Sequence, residues 1–259
     1  MDAAVAERGL ARSRTAAVAL IAEGRVTVDG VAVVKPSAKV DERQIIEVAG
    51  ADRYVSRAAH KLLAALDAWS IDPTGVLALD VGASTGGFTQ VLLERGAREV
   101  IALDVGHGQL HLRIRSDERV RVVERFNARD LTARTLAGAA GTDEVPSLVV
   151  GDLSFIPLGL VLPALVATAG LGADFVLLVK PQFEVGRGRV REGLVTDPVA
   201  RAEAVEGVLW AAWDLGLGTA GVIASPIVGT HGNREYVVRL RADGSNPTEW
   251  LDRVSDLTR

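Results

Sequence analysis

The sequence predicts an α/β protein: a doubly wound, mostly parallel sheet of seven strands, preceded by a small α+β unit. Apolar, β-rich runs recur at 76–81, 100–105, 120–123, 148–150, 175–179, 220–224 and 236–240, with helical stretches between them. Such alternation implies right-handed crossovers and a parallel sheet. Residues 1–48 carry their own short elements, a connector at 49–55 follows, the sheet domain occupies 56–245, and 246–259 reads as a C-terminal tail.

In the first unit, a short helix near 3–8 is followed by Ser13 as the N-cap of a helix over 15–23, closed by Gly24. Side-chain capping and a C-terminal glycine are the ordinary helix punctuation. Val26, Val28, Val31 and Val33 flank Asp29-Gly30, the pair that a two-residue type I′ turn requires because both central residues take positive φ. Residues 45–48 supply a further strand. Between positions 8 and 39 lie Arg8, Arg12, Arg14, Arg25, Lys35 and Lys39 against only Glu23 and Asp29. A basic stretch inside a chain of net charge −4 points to a local nucleic-acid contact rather than indiscriminate coating. Two helices, a hairpin and these basic residues resemble the RNA-binding module of the S4-type ribosomal proteins. A helix capped by Ser56 and running to about Trp69 then leads into the sheet domain.

Composition narrows the chemistry. With no cysteine there is no disulfide, thiolate metal site or cysteine nucleophile. Met1 is followed by a charged stretch over 2–8, unlike a signal peptide, so a cytoplasmic protein is expected. Residues 155–173 carry no charge, but Pro157, Gly159, Pro163, Gly170 and Gly172 interrupt them, which argues for a strand end, a buried helix and a loop rather than a membrane span. His107 and His111 stand four apart without a nearby Cys, Glu or further His, so a solvated helix face is expected and no metal site.

The first strand of the sheet runs into Asp80-Val81-Gly82-Ala83-Ser84-Thr85-Gly86-Gly87-Phe88, a glycine-rich turn opening a helix at the point where doubly wound sheets bind nucleotides. Its spacing is neither GxGxxG nor a phosphate-binding loop, and the Asp80 carboxylate suits a cationic sulfonium and an α-amino group better than a pyrophosphate. Asp104 ends the second strand, where a carboxylate can accept both hydroxyls of an adenosine ribose, and Asn127 follows the third, where such folds contact adenine.

The residues resemble one family closely, the TlyA or haemolysin-A-like methyltransferases of ribosomal RNA, whose catalytic domain is related to FtsJ. The resemblance runs through Val55-Ser56-Arg57-Ala58-Ala59-His60-Lys61-Leu62, the loop at 82–89, Asp104-Val105-Gly106, Gly108-Gln109-Leu110, Asn127-Ala128-Arg129, Asp152-Leu153-Ser154-Phe155-Ile156, Lys180-Pro181-Gln182-Phe183-Glu184 and Gly232-Asn233. It implies a Rossmann-like methyltransferase fold, S-adenosyl-L-methionine as cofactor, and a Lys-Asp-Lys-Glu tetrad at Lys61, Asp152, Lys180 and Glu235. The cofactor would be held by Asp80, Gly82, Ala83, Ser84, Gly86, Gly87, Phe88, Asp104, Val105, Asn127 and Asp152. RNA would be met by Arg12, Arg14, Arg25, Lys35, Lys39 and Arg57. The implied substrate is a cytidine 2′-hydroxyl in ribosomal RNA of the large subunit and, in longer members with both terminal extensions, of the small subunit too. The partners are ribosomal RNA and ribosomal subunits, with no membrane, and a monomer is expected.

The chemistry explains such a tetrad. A ribose hydroxyl is a poor nucleophile until its proton is leaving, whereas a sulfonium already leaves well, so the reaction needs alignment and a base. Lys180 is expected to receive or steer the proton, Asp152 to position Lys180 and the hydroxyl, and Glu235 to orient Lys61. Two departures from the family pattern stand out: His107 replaces an expected aromatic residue, and Thr230-His231 interrupts the usual Gly-Pro before Gly232. The competing readings are a methyltransferase for another hydroxyl, an RNA-binding assembly protein with a vestigial pocket, and a pore former.

Overall fold

The computed structural model describes residues 1–259 except Gly9, Arg12, Glu42, Gly50, Ala51, Thr230, His231 and the side chain of Arg187. The chain divides into two compact units, Met1–Val55 and Ser56–Arg259.

The first unit contains α1 (Asp2–Glu7), α2 (Arg14–Ala22), β1 (Val26–Val28), β2 (Val31–Ala32) and β3 (Ile46–Val48). The Ser13 side chain accepts the Ala16 N–H and caps α2, as its position before the apolar run predicts. Asp29 and Gly30 have φ of 50° and 80°, the left-handed pair of a type I′ turn, and β1 pairs antiparallel with both β2 and β3. Val5, Ala17, Ile21, Val26 and Ile46 form its small core.

The second unit is built from α3 (Ala59–Ala68), β4 (Leu77–Val81), α4 (Gly87–Glu94), β5 (Glu99–Leu103), α5 (Leu112–Arg115), β6 (Val120–Val123), α6 (Ala133–Ala140), β7 (Leu148–Gly151), α7 (Leu162–Ala169), β8 (Asp174–Val179), α8 (Pro181–Glu184), α9 (Pro198–Asp214), β9 (Gly218–Ala224), β10 (Tyr236–Arg241) and α10 (Leu251–Thr258). Its seven strands lie in the order β6-β5-β4-β7-β8-β10-β9. All pairings are parallel except those of β10, which runs antiparallel to β8 and β9. Leu77, Leu79, Val81, Ile101, Val149, Phe175 and Leu177 pack one face of the sheet against α6, α7, α9 and α10. Their neighbours Ala78, Val100, Ala102 and Val150 point the other way and are buried too, on the side where α4 lies against β4 and β5 and packs with α3. Burial on both faces is why these strands read as continuous apolar runs rather than alternating ones.

The chain leaves β4 toward β5 and β6, then returns to place β7 on the other side of β4. This reversal opens a crevice at the carboxyl ends of β4 and β7, the usual ligand position in such sheets.

Residues 246–259 are not a tail apart from the sheet. Val254 on α10 is fully buried in the main core, and the buried Arg201 guanidinium of α9 donates to the Thr258 carbonyl at 2.7 and 3.1 Å. The apolar 155–173 segment divides into a loop, a 3₁₀ turn over Leu158–Leu160 and α7, whose proline falls in the first turn, where no helical hydrogen bond is lost. Among the described residues, no helix is long and apolar enough to cross a membrane.

Candidate active site

Two loops frame the crevice. The β4–α4 loop turns sharply through Gly82 at φ 83° and Gly86 at φ 95°. A Cβ on Gly82 would stand 3.1 Å from the Asp152 carbonyl oxygen, so only glycine lets this loop pass close to the end of β7. After β5, Asp104 braces both loops: one carboxylate oxygen accepts the Ser84 N–H at 2.8 Å and the other the Gly106 N–H at 2.7 Å. Each oxygen retains a second lone pair.

A cavity of about 490 Å³ opens beside Asp104 and is walled by Val105, Phe126, Asn127, Leu153 and Ile156. A second, of about 340 Å³, is lined by Ala83, Gly87 and Phe88 from the glycine-rich loop and helix, and by Lys61, Lys180 and Glu235. The two share Gly82, Ser84, Asp152 and Ser154, so they meet at the mouth of β7. A mostly apolar compartment with a carboxylate at its inner end, joined to a polar one, fits an adenosine bearing an amino-acid arm. Phe126 supplies the aromatic wall that His107 does not.

Two residues expected at the cofactor are placed elsewhere. Asp80 lies within β4, fully buried, and accepts the Thr89 hydroxyl at 2.6 Å; it borders neither cavity, because alternation along the strand turns its side chain toward α4. Burial pushes its carboxyl up to about 7. Gly86 is covered by Leu110 and Ile114, so it shapes the loop without lining the space. His111 caps α5 by accepting the Arg113 N–H through Nδ1. Asn127 reaches the larger cavity with its carbonyl oxygen already accepting the Arg129 N–H.

At the smaller cavity four charged side chains converge from four elements. Lys61 sits in the first turn of α3, Asp152 just after β7, Lys180 just after β8, and Glu235 just before β10. Because β10 is antiparallel to β8, Tyr236 pairs with Val179, which brings Glu235 level with Lys180 on the carboxyl edge. Lys61 Nζ lies 2.7 Å from Glu235 Oε2 and 3.1 Å from Asp152 Oδ2. Lys180 Nζ lies 2.6 Å from Asp152 Oδ1. Both lysines and Glu235 are buried, and two ammoniums balance two carboxylates, the condition under which buried charges persist. Burial opposes the charge on Lys61, but the carboxylates of Asp152 and Glu235 outweigh it and hold its pKa above the ordinary lysine value. Lys61 is therefore a fixed cation.

Several contributors are not visible in the residue pattern. Lys180 Nζ donates to Ser154 Oγ at 2.7 Å. Glu184 accepts the Leu158 N–H at 2.8 Å, tying the loop after β7 to α8, and burial raises its carboxyl to about 7. Ile227, Val228 and Gly229 line the smaller cavity, and Asn233 bridges to the 193–195 segment through Gly193 and Val195. Ser154 and Glu184 stand inside family motifs, but nothing in their spacing shows where they point.

Of the residues expected to meet RNA, Lys35, Lys39 and Arg57 are exposed, and Arg57 borders the smaller cavity. Two others are engaged within the first unit: Arg14 pairs with Asp2 at 2.8 Å, and Arg25 pairs with Glu23 and donates to the Ala49 carbonyl. Both thus offer less free charge to a phosphate than the sequence alone suggests. Arg12, and the departure at Thr230-His231, lie outside the described residues.

The fold and the site define an FtsJ-like methyltransferase: that family's model matches residues 54–242, and an S4 domain matches residues 2–46. The 16S/23S rRNA (cytidine-2′-O)-methyltransferase TlyA of Mycobacterium tuberculosis is 51% identical over 244 residues, covering 93% of this chain and 89% of that protein. Hemolysin A of Brachyspira hyodysenteriae is 38% identical, covering 93% and 98%. The solved structure of a candidate hemolysin from Streptococcus thermophilus superposes with a TM-score of 0.75 at 36% identity, covering 99% of this chain and 94% of that one. The chain belongs to the TlyA/haemolysin-A-like family, in which an S4 domain precedes an FtsJ-like methyltransferase domain.

Proposed function

We propose that this methyltransferase moves a methyl group from S-adenosyl-L-methionine to the 2′-hydroxyl of a cytidine ribose in ribosomal RNA, in the cytoplasm. The observation that carries the reading is the position of Lys180 Nζ, buried in the smaller cavity beside Asp152, which borders both cavities. The activity named for the Mycobacterium tuberculosis relative points the same way.

The residues present fit the cofactor. Asp104 would accept its ribose hydroxyls, Phe126, Asn127 and Ile156 would flank its adenine, and Gly82 to Ser84 would meet its amino-acid arm. When bound, it supplies a methyl carbon already activated by a sulfonium. The protein's task is then to align a hydroxyl with that carbon and to take its proton. After releasing one of its own protons to solvent, Lys180 would receive the hydroxyl proton from the ribose oxygen. Asp152 holds the resulting ammonium, while Lys61, fixed by Glu235, keeps Asp152 in place. Arg57 at the rim, with Lys35 and Lys39 on the S4 domain, would receive phosphates of the RNA.

Mapping 2′-O-methyl groups on ribosomal RNA from cells with and without this chain tests the reading. A cytidine methylated only when the chain is present supports it. Identical maps would remove the assignment.

A further inference from the structure

We infer that Ser154 is a positioning residue that aims the Lys180 amine, an inference that rests on the methyl-transfer reading above and adds a group that reading leaves out. The two partners of Lys180 do different things. Its contact with Asp152 Oδ1, at 2.6 Å, is an ion pair without hydrogen-bond geometry, and that oxygen makes no hydrogen bond among the described residues. Its contact with Ser154 Oγ, at 2.7 Å, is a hydrogen bond. Coulombic attraction is weakly directional, whereas a hydrogen bond weakens steeply away from linearity. Asp152 therefore supplies charge, and Ser154 supplies direction.

Direction matters because an amine accepts a proton only along its lone pair. Nζ is tetrahedral, bonded to Cε; fixing one N–H on Ser154 leaves few choices for the lone pair, and Asp152 biases the second N–H. The remaining vertex is free for the cavity that both Lys180 and Ser154 line.

The backbone holds the serine to this task. Asp152 and Ser154 are two residues apart, so along an extended segment they point the same way, while the intervening Leu153 packs against the core. Phe155 then turns the chain through φ 66°. The same loop is tied to α8, which begins immediately after Lys180, by the Phe155–Phe183 ring contact at 5.2 Å and by Glu184 accepting the Leu158 N–H. Ser154 Oγ and Lys180 Nζ are thus carried by one braced body.

The test compares wild type, Ser154→Ala, Ser154→Thr and Lys180→Met in single-turnover methyl transfer to ribosomal RNA, with cofactor affinity measured by calorimetry. Ser154 is exposed, so its truncation removes little packing. Ser154→Ala should lose roughly 10- to 100-fold in rate, as small misplacements of a reacting group do. RNA and cofactor affinities should stay within about two-fold, and Ser154→Thr, which keeps Oγ, should recover most of the rate. An undiminished rate in Ser154→Ala overturns the inference, as does a rise in KM alone, or a loss shared with cofactor affinity that threonine does not rescue. Failure of the underlying reading looks different: wild type would be inactive, or Lys180→Met would remain active.

Discussion

Lys61 Nζ, on the helix that enters the methyltransferase domain, lies 2.7 Å from Glu235 Oε2 at the start of β10. The pair joins two distant parts of the domain's chain within the candidate site and sets the position of Asp152, which Lys61 also contacts. Its cohesion has a cost if one partner goes, because Glu235 is only 4% exposed.

Replacing Lys61 by methionine should therefore destabilise the protein by about 3–5 kcal/mol, the usual penalty for stranding a buried charge. The double change Lys61→Met, Glu235→Leu should recover most of this loss, since an apolar pair of similar volume is often neutral. Urea unfolding of the three proteins checks both expectations. Equal stability of wild type and the single variant would show the pair to be solvated.

Stability should also depend on pH in the neutral range. Burial raises Glu184 to about 7, above its ordinary 4.5, so the folded state keeps a proton that the unfolded chain releases. The contribution is fully present below about 4.5 and is lost as pH rises through 7. Glu184→Gln should flatten that part of the pH–stability curve while preserving the acceptor for the Leu158 N–H. Asp80, raised to about 7 by burial, has the same sign, so Asp80→Asn should flatten it further. Thermal melting across pH 4 to 8 reads both.

Much of this architecture is legible from residue pattern. Each of the seven strands lies within two or three residues of its apolar run, and the central four, β5, β4, β7 and β8, are apolar almost throughout because both their faces are buried. The Asp29-Gly30 turn and the Ser13 cap follow from local chemistry alone. Other features depend on direction, which a linear pattern does not carry. Ser56 reads as the cap of the entry helix, yet its hydroxyl accepts the Ala58 N–H in a turn that precedes α3. Asp80 adjoins the glycine-rich loop in sequence but faces inward. The eight residues of α10 show few apolar positions, and only Val254 and Thr258 are buried to anchor the helix. The tetrad positions follow from family resemblance; what the sequence could not contain is the hydrogen bond that separates Ser154 from its neighbours.

Gly82→Ala should weaken cofactor binding by at least about 10-fold. The added carbon would meet the Asp152 carbonyl at 3.1 Å in a backbone at φ 83°, a conformation that costs a non-glycine residue roughly 1 kcal/mol or more. Asp80→Asn, by contrast, should leave affinity almost unchanged, because its side chain borders neither cavity. Calorimetric titration with S-adenosylmethionine distinguishes them, and a large loss from Asp80→Asn would contradict its inward placement.

Lys35→Ala and Lys39→Ala should lower RNA affinity and reduce the slope of log affinity against log salt by about one for each phosphate no longer neutralised. Arg14→Ala should do less, since Arg14 already pairs with Asp2. Filter-binding titrations at several salt concentrations test the order, and a larger effect from Arg14 would reverse it.

The most direct test of the central claim is methyl transfer by Lys180→Met to ribosomal RNA, with cofactor binding measured on the same preparation. Binding should stay close to wild type and turnover should fall by at least about 100-fold, the scale of losing a proton acceptor. Turnover at the wild-type rate would contradict it, for then the amine beside Asp152 takes no proton from the ribose.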